Sequence, residues 1–130
     1  MLTHTAPRES CAIMQYLVDK YDPEHRISVS GTDEKYHQLQ WLFFQASGQG
    51  CVRVISSCMR SASAHAPLHH SPYFGQASWF LVYHPEKVPS AIERYSKEIV
   101  RVLGVLENVL SKQEWLVGGK CTIADISFIP

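Results

Sequence analysis

No net charge, no long apolar run and no closely spaced cysteine pair are found in this 130-residue chain. Its 12 Lys+Arg are matched by 12 Asp+Glu, so the formal net charge is zero with neutral histidines. The long-range attraction behind general nucleic-acid or anionic-membrane binding is therefore missing, and neither partner is expected. No uninterrupted apolar stretch approaches the roughly 20 residues that span a bilayer. Residues 1–8 lack the apolar centre of a secretory signal. Cys11, Cys51, Cys58 and Cys121 contain no C-x-x-C pair, which argues against a thioredoxin-type redox motif or a zinc ribbon. The expectation is a reduced, cytoplasmic chain carrying thiols.

What is present points to a packed helical protein. At 45% hydrophobic and 11% aromatic, the chain is too apolar for intrinsic disorder. Ile13, Tyr16, Leu17 and Tyr21 share one helical face over Ser10–Tyr21, with Ser10 as N-cap and Asp22-Pro23 as terminator. A second helix starts after Gly31 with first-turn acids, and its stripe is Tyr36, Leu39, Phe43 and Ala46, widened by Leu42. A third segment carries Tyr73, Phe74, Ala77, Phe80 and Leu81 up to His84-Pro85. The longest helix is expected from about Ser90 to Lys112, with Ile92, Tyr95, Ile99, Val102, Leu103, Leu106 and Val109 as its core stripe. Trp115-Leu116-Val117 is an apolar connector ending in the turn Gly118-Gly119. Thr122 and Asp125 fit a capping box that starts a last, strongly apolar helix. With no reliable strand, the expected fold class is all-α.

Composition shifts abruptly at Cys51–Ser71, which holds two arginines but no acid, lysine or aromatic residue. This segment reads as a foreign insert. Cys51, Cys58, His65 and His69, with His70 as a spare, offer four zinc-type donors at C-x6-C-x6-H-x3-H. The first cysteine spacing is wide for a finger knuckle and the segment has no aromatic core, so no metal is expected there. His25, His37 and His84 read as solvated or capping histidines.

Two segments carry a resemblance. Glu9-Ser10-Cys11-Ala12-Ile13-Met14-Gln15-Tyr16-Leu17 and Trp115-Leu116-Val117-Gly118-Gly119-Lys120-Cys121-Thr122-Ile123-Ala124-Asp125 together resemble a cytosolic glutathione S-transferase. Gln40-Trp41-Leu42-Phe43-Phe44-Gln45 and Ala91-Ile92-Glu93-Arg94-Tyr95 resemble its fungal branch, related to the yeast nitrogen-catabolite regulator that can form a prion.

The resemblance implies a glutathione transferase C-terminal-like helical bundle, incomplete, preceded by the last helix of a thioredoxin-like domain. Residues 1–8 would be an unpatterned start, 9–22 the remnant of the glutathione-binding domain, and 32–130 the truncated helical domain with the insert 51–71. Joining Gly50 to Pro72 restores a sequence that looks like the family's unbroken run, as a retained intron translated in frame would leave it. Glutathione is the implied co-substrate, with no metal. Glu9 and Ser10 match the acidic-Ser pair that holds its γ-glutamyl end: Glu9 would pair with the α-ammonium, Ser10 and the helix amides with the α-carboxylate. From residue chemistry alone the favoured reading is that Ser10 merely caps a helix whose dipole Glu9 complements; the resemblance is what turns the pair toward glutathione. The thiol-activating group is expected upstream, so the catalytic residue is unknown. Cys11, a tempting nucleophile, occupies a variable position of the motif. Trp79 and Tyr83 are the picks for the second-substrate pocket, among Trp41, Phe44 and Phe74. The implied activity is transfer of the glutathione thiolate to hydrophobic electrophiles, in a family that generally homodimerises, with this chain inactive alone. The alternative is a non-catalytic helical interaction or regulatory module.

Overall fold

The computed structural model describes residues 9–49 and 73–129, and these residues are helical, with no strand among them. The elements are α1 (Ser10–Tyr21), α2 (Thr32–Phe44), α3 (Phe74–Ser78), α4 (Pro89–Leu110) and α5 (Ile123–Ile126). Two π-helical turns extend α2 and α3, over Gln45–Gln49 and Trp79–Tyr83. The segment read as an insert, with its cysteines and histidines, lies outside the described residues. The chain divides into two compact units, 1–43 with 113–129, and 44–112.

In the first unit, Val18, Leu42 and Ile123 form a buried cluster against which Cys11, Met14 and Leu39 pack. Each such aliphatic side chain contributes about 1.5–3 kcal/mol when fully buried. The α1 stripe is therefore not the expected one. Ile13, Tyr16, Leu17 and Tyr21 are exposed, whereas Cys11, Met14 and Val18, at the same three-to-four spacing, turn inward. Both faces have helical spacing, and the one that carries Cys11, Met14 and Val18 is the one that meets Leu39, Leu42 and Ile123. Ser10 is not the N-cap either. Glu9 occupies that position, without a side-chain cap bond, and Ser10 is the first helical residue.

The expected α2 stripe is present in part: Leu42 is buried and Leu39 packs against the cluster. Tyr36 and Phe43 are 67% and 69% exposed, and Ala46 is exposed. Gln38, Trp41, Leu42 and Gln45 are the buried set. Gln38 is only 1% exposed; its amide donates to the Gln15 carbonyl oxygen of α1 at 3.2 Å. Gln15 in turn donates to Asp19 at 2.9 Å, and Lys35 of α2 donates to the same Asp19 oxygen at 3.1 Å. A chain of polar side chains thus ties the two helices in addition to the apolar cluster.

The loop after α1 is organised by Asp22. Its carboxylate accepts the Arg26 amide at 2.7 Å, the Ile27 amide at 3.0 Å and the Ser28 hydroxyl at 2.8 Å. The Ile27 carbonyl then accepts the Ile123 amide at 2.9 Å, and the Lys120 ammonium donates to the His25 carbonyl. Leu116 and Val117 are buried, as the apolar connector requires. The turn after them needs glycine, because Gly118 and Gly119 have φ of +68° and +64°.

The expected capping box is present at α5. Thr122 Oγ1 accepts the Ala124 amide at 3.2 Å, and Asp125 Oδ2 accepts the Thr122 amide at 2.9 Å. Asp125 does one thing the motif does not announce: its Oδ1 accepts the Leu116 amide at 2.9 Å. Trp41 lies edge-on to Phe128, with ring centroids 6.3 Å apart.

In the second unit α4 is 22 residues long and begins on Pro89, a residue suited to the first turn of a helix. Val102 is its fully buried centre, while Leu103, expected in the same stripe, is half exposed. A Cβ on Gly48 would sit 3.2 Å from Val102, so the absence of a side chain there lets the first π-turn approach α4 closely. Glu93 and Lys97 form an i,i+4 ion pair on the exposed face of α4.

Candidate functional site

The start of α1 combines three properties. Glu9 has φ 65° and ψ 123°, a left-handed conformation that glycine adopts freely and that costs another residue about 1–3 kcal/mol. Strain of that kind persists only where surrounding structure over-determines it, and it concentrates at functional positions. The Glu9 carbonyl closes the first turn by accepting the Ile13 amide at 2.9 Å. The side chains of Glu9 and Ser10 are both exposed. The first-turn amides of a helix lack intrahelical partners and carry the positive end of its dipole, so an anion is favoured there. A carboxylate beside a carboxylate-seeking helix end suits a zwitterionic amino-acid head group.

Cys11 does not have the properties of a nucleophile. Burial pushes its thiol pKa up; a hydrogen bond with Ser10 pulls the other way, and the Glu9 charge adds to the rise. Its Sγ–H donates to the Leu42 carbonyl at 3.5 Å. A raised pKa keeps the group a thiol, the unreactive form.

Trp79 and Tyr83 fall together in the second π-turn. Their rings are stacked, with centroids 6.1 Å apart and planes 22° from parallel, and both side chains are half-buried. Glu9 and Ser10 belong to the first unit, Trp79 and Tyr83 to the second. Trp41, weighed for the same pocket, is instead buried in the first unit beside Phe128.

Sequence reasoning treated His25, His37 and His84 alike, and the structure separates them. His37 is exposed on α2 and lines a cleft of about 310 Å³ with Glu34 and residues 113–119. His25 is half-buried at φ 51°, with Nδ1 3.0 Å from the Ser28 hydroxyl. His84 lies among the aromatic rings of the second π-turn. The spacing Asp22 to Arg26 and Ile27, an aspartate before proline bonding amides downstream, was the available signal for the ordered loop. Nothing in the sequence marked Glu9 for a positive φ. Among the described residues no three His, Cys, Asp or Glu side chains gather as a metal site. None of the described helices is long and apolar enough to cross a membrane.

Comparison with known proteins places these observations. A glutathione S-transferase-like protein from Aspergillus fumigatus, tpcF, is 52% identical over 131 residues, covering 94% of this chain and 49% of its own length. The chain therefore spans about half the length of this curated relative. The crystal structure of the glutathione transferase URE2P6 from Phanerochaete chrysosporium, in complex with oxidized glutathione, superposes with a TM-score of 0.76 at 61% identity, covering 95% of this chain and 47% of that one. Ure2p5 from the same organism, cocrystallized with 1-(S-glutathionyl)-2,4-dinitrobenzene, gives 0.73 at 53% identity, covering 95% of this chain and 47% of that one. The model of the glutathione S-transferase C-terminal domain matches residues 62–130, beginning inside the segment read as an insert. That match takes in more than half of the 130 residues, and with an all-helical fold similar to Ure2-type transferases the chain belongs to the glutathione S-transferase family.

Proposed function

We propose that the chain holds the γ-glutamyl end of glutathione at the start of α1, as part of a protein that transfers the glutathione thiolate to hydrophobic electrophiles. The observation that carries this reading is the strained backbone of Glu9 at the N-terminus of α1. Glu9 pairs with the α-ammonium of the ligand, while Ser10 and the first-turn amides receive its α-carboxylate. The solved relative with oxidized glutathione supports that ligand, and the relative with a dinitrophenyl conjugate supports an aromatic second substrate beside Trp79 and Tyr83.

No residue of this chain is assigned to thiol activation, and the chain by itself is inactive in this reading. Residues 9–22 are the last helix of a thioredoxin-like unit and 32–130 the helical domain. The exposed Ile13, Tyr16, Leu17 and Tyr21 face of α1 supports that division, since such a face suits a further packing partner. The protein works in the cytoplasm and pairs as a homodimer. The regulatory alternative is favoured by one feature, the exposed Val100 and Leu103 on α4, which suit a helical interaction surface.

The test is titration of the full chain with glutathione by ligand-observed NMR, with Ser10→Ala alongside. Weak binding that Ser10→Ala abolishes is expected, with little retention on immobilised glutathione and no turnover of 1-chloro-2,4-dinitrobenzene. Binding unchanged in Ser10→Ala refutes the site. Tight retention with clean elution by free glutathione refutes the claim that only one end of the ligand is held.

A further inference from the structure

The rings of the second unit form one continuous series. Tyr83 stacks on Trp79; Trp79 meets His84 edge-on, with centroids 6.4 Å apart. His84 lies 5.2 Å from Phe80, and Phe80 stacks on Tyr95 of α4 at 5.6 Å, only 14° from parallel. Five rings thus run from the π-turn onto the long helix.

The π-turn is what makes the series possible. In an α-helix, at about 100° per residue, residue i+5 lies about 140° round the axis from residue i. Trp79 and His84 would then point to different sides. Here the His84 amide donates to the Trp79 carbonyl at 2.8 Å, an i→i+5 bond. This wider turn brings both i+4 and i+5 alongside residue i. Trp79 consequently touches Tyr83 and His84 together. The Glu86 backbone also contacts His84, with its carbonyl oxygen 2.5 Å from Nδ1.

We infer that His84, Phe80 and Tyr95 are positioning residues that hold the Trp79–Tyr83 pair through the π-turn, and that this support sets the pair's preference for planar aromatic over aliphatic second substrates. The inference rests on the assignment of Trp79 and Tyr83 to the second-substrate pocket proposed above. A flat ring gains from stacking on a preset ring face, whereas a flexible alkyl chain gains only from buried area. Loosening the support therefore lowers affinity for the flat ligand selectively. A merely structural role would lower both.

The experiment measures binding of two pairs of probes to the full chain by calorimetry. One pair is 1-(S-glutathionyl)-2,4-dinitrobenzene against S-hexylglutathione, and the other is 2,4-dinitrophenol against octanoate, which carry no glutathione. The variants are Tyr95→Leu, Tyr95→Phe and His84→Leu, with circular dichroism as a check on folding. Tyr95→Leu and His84→Leu should each reduce the aromatic-to-aliphatic preference by about fivefold, the size of one stacking contact. Tyr95→Phe, which keeps the ring, should restore the preference of the unsubstituted chain. Equal losses for both members of a pair, or an unchanged preference in Tyr95→Leu, overturn the inference. If the glutathione conjugates do not bind, but 2,4-dinitrophenol is preferred over octanoate and that preference falls in Tyr95→Leu and His84→Leu, the glutathione site is refuted and the positioning role stands. No preference in the unsubstituted chain with either pair overturns the positioning role itself.

Discussion

Replacing Asp125 by alanine should destabilise the first unit far more than the loss of a surface carboxylate would. Asp125 accepts the Thr122 amide at 2.9 Å, the Thr122 hydroxyl at 3.0 Å and the Leu116 amide at 2.9 Å. Thr122 is fully buried and Leu116 nearly so, so water replaces those bonds poorly. A buried donor left without a partner costs about 1–3 kcal/mol, and two amides are orphaned, for a total of about 4 kcal/mol. That is a large share of the roughly 5–15 kcal/mol by which a domain is stable. Asp125→Asn keeps one acceptor oxygen and should lose about half as much. Urea unfolding followed by tryptophan fluorescence reads the global effect. Hydrogen exchange at the Leu116 and Thr122 amides reads it locally, and both should lose protection together. If Asp125→Ala costs under about 1 kcal/mol, or leaves the Leu116 amide protected, the carboxylate is not the tie between the connector and α5.

Two further outcomes follow from the ionisable groups. Burial alone would raise the Asp22 carboxyl, but bonds from the Ser28 hydroxyl and the Arg26 and Ile27 amides, aided by His25, hold it below its ordinary value. A depressed folded pKa stabilises the loop above the unfolded value of about 3.9, and this is lost as pH falls through the lower folded value. Asp22→Asn should therefore flatten the acid limb of stability below about pH 4, and acid-unfolding curves identical to the unsubstituted chain would refute it. Cys11, raised mainly by burial, should be alkylated by iodoacetamide at pH 8 more slowly than free cysteine. Mass spectrometry of the peptide carrying Cys11 measures the rate, and a rate above that of free cysteine contradicts the thiol assignment.

Much of the helical layout was legible because it rests on local rules. The end of α1 at Tyr21 follows from Asp22-Pro23, and the starts of α1 and α4 differ from expectation by one residue each. The Thr122–Asp125 box was read from four residues, because its bonds close within a single turn. The faces were less legible. On α1 two stripes share the helical spacing, and nothing local tells which one meets α2. Buried Gln38 was unreadable for a related reason: an amide is tolerated inside only where a partner such as Gln15 waits on another element. The π-turns are not legible either, since Trp79–Tyr83 carries no breaker residue that would mark one.

The candidate site divides along the same line. Glu9 and Ser10 were found from the motif they share with the family, while the φ of 65° at Glu9 is a property of the folded backbone. Trp79 and Tyr83 were named from the sequence, but their stacking and the roles of His84 and Tyr95 follow from packing. By itself, the sequence determined the family, the helices and the Thr122–Asp125 cap, because these depend on neighbours a few residues apart. The tertiary structure alone decided which face each helix buries, how far Cys11 is buried and which rings meet, because those depend on what another part of the chain brings alongside.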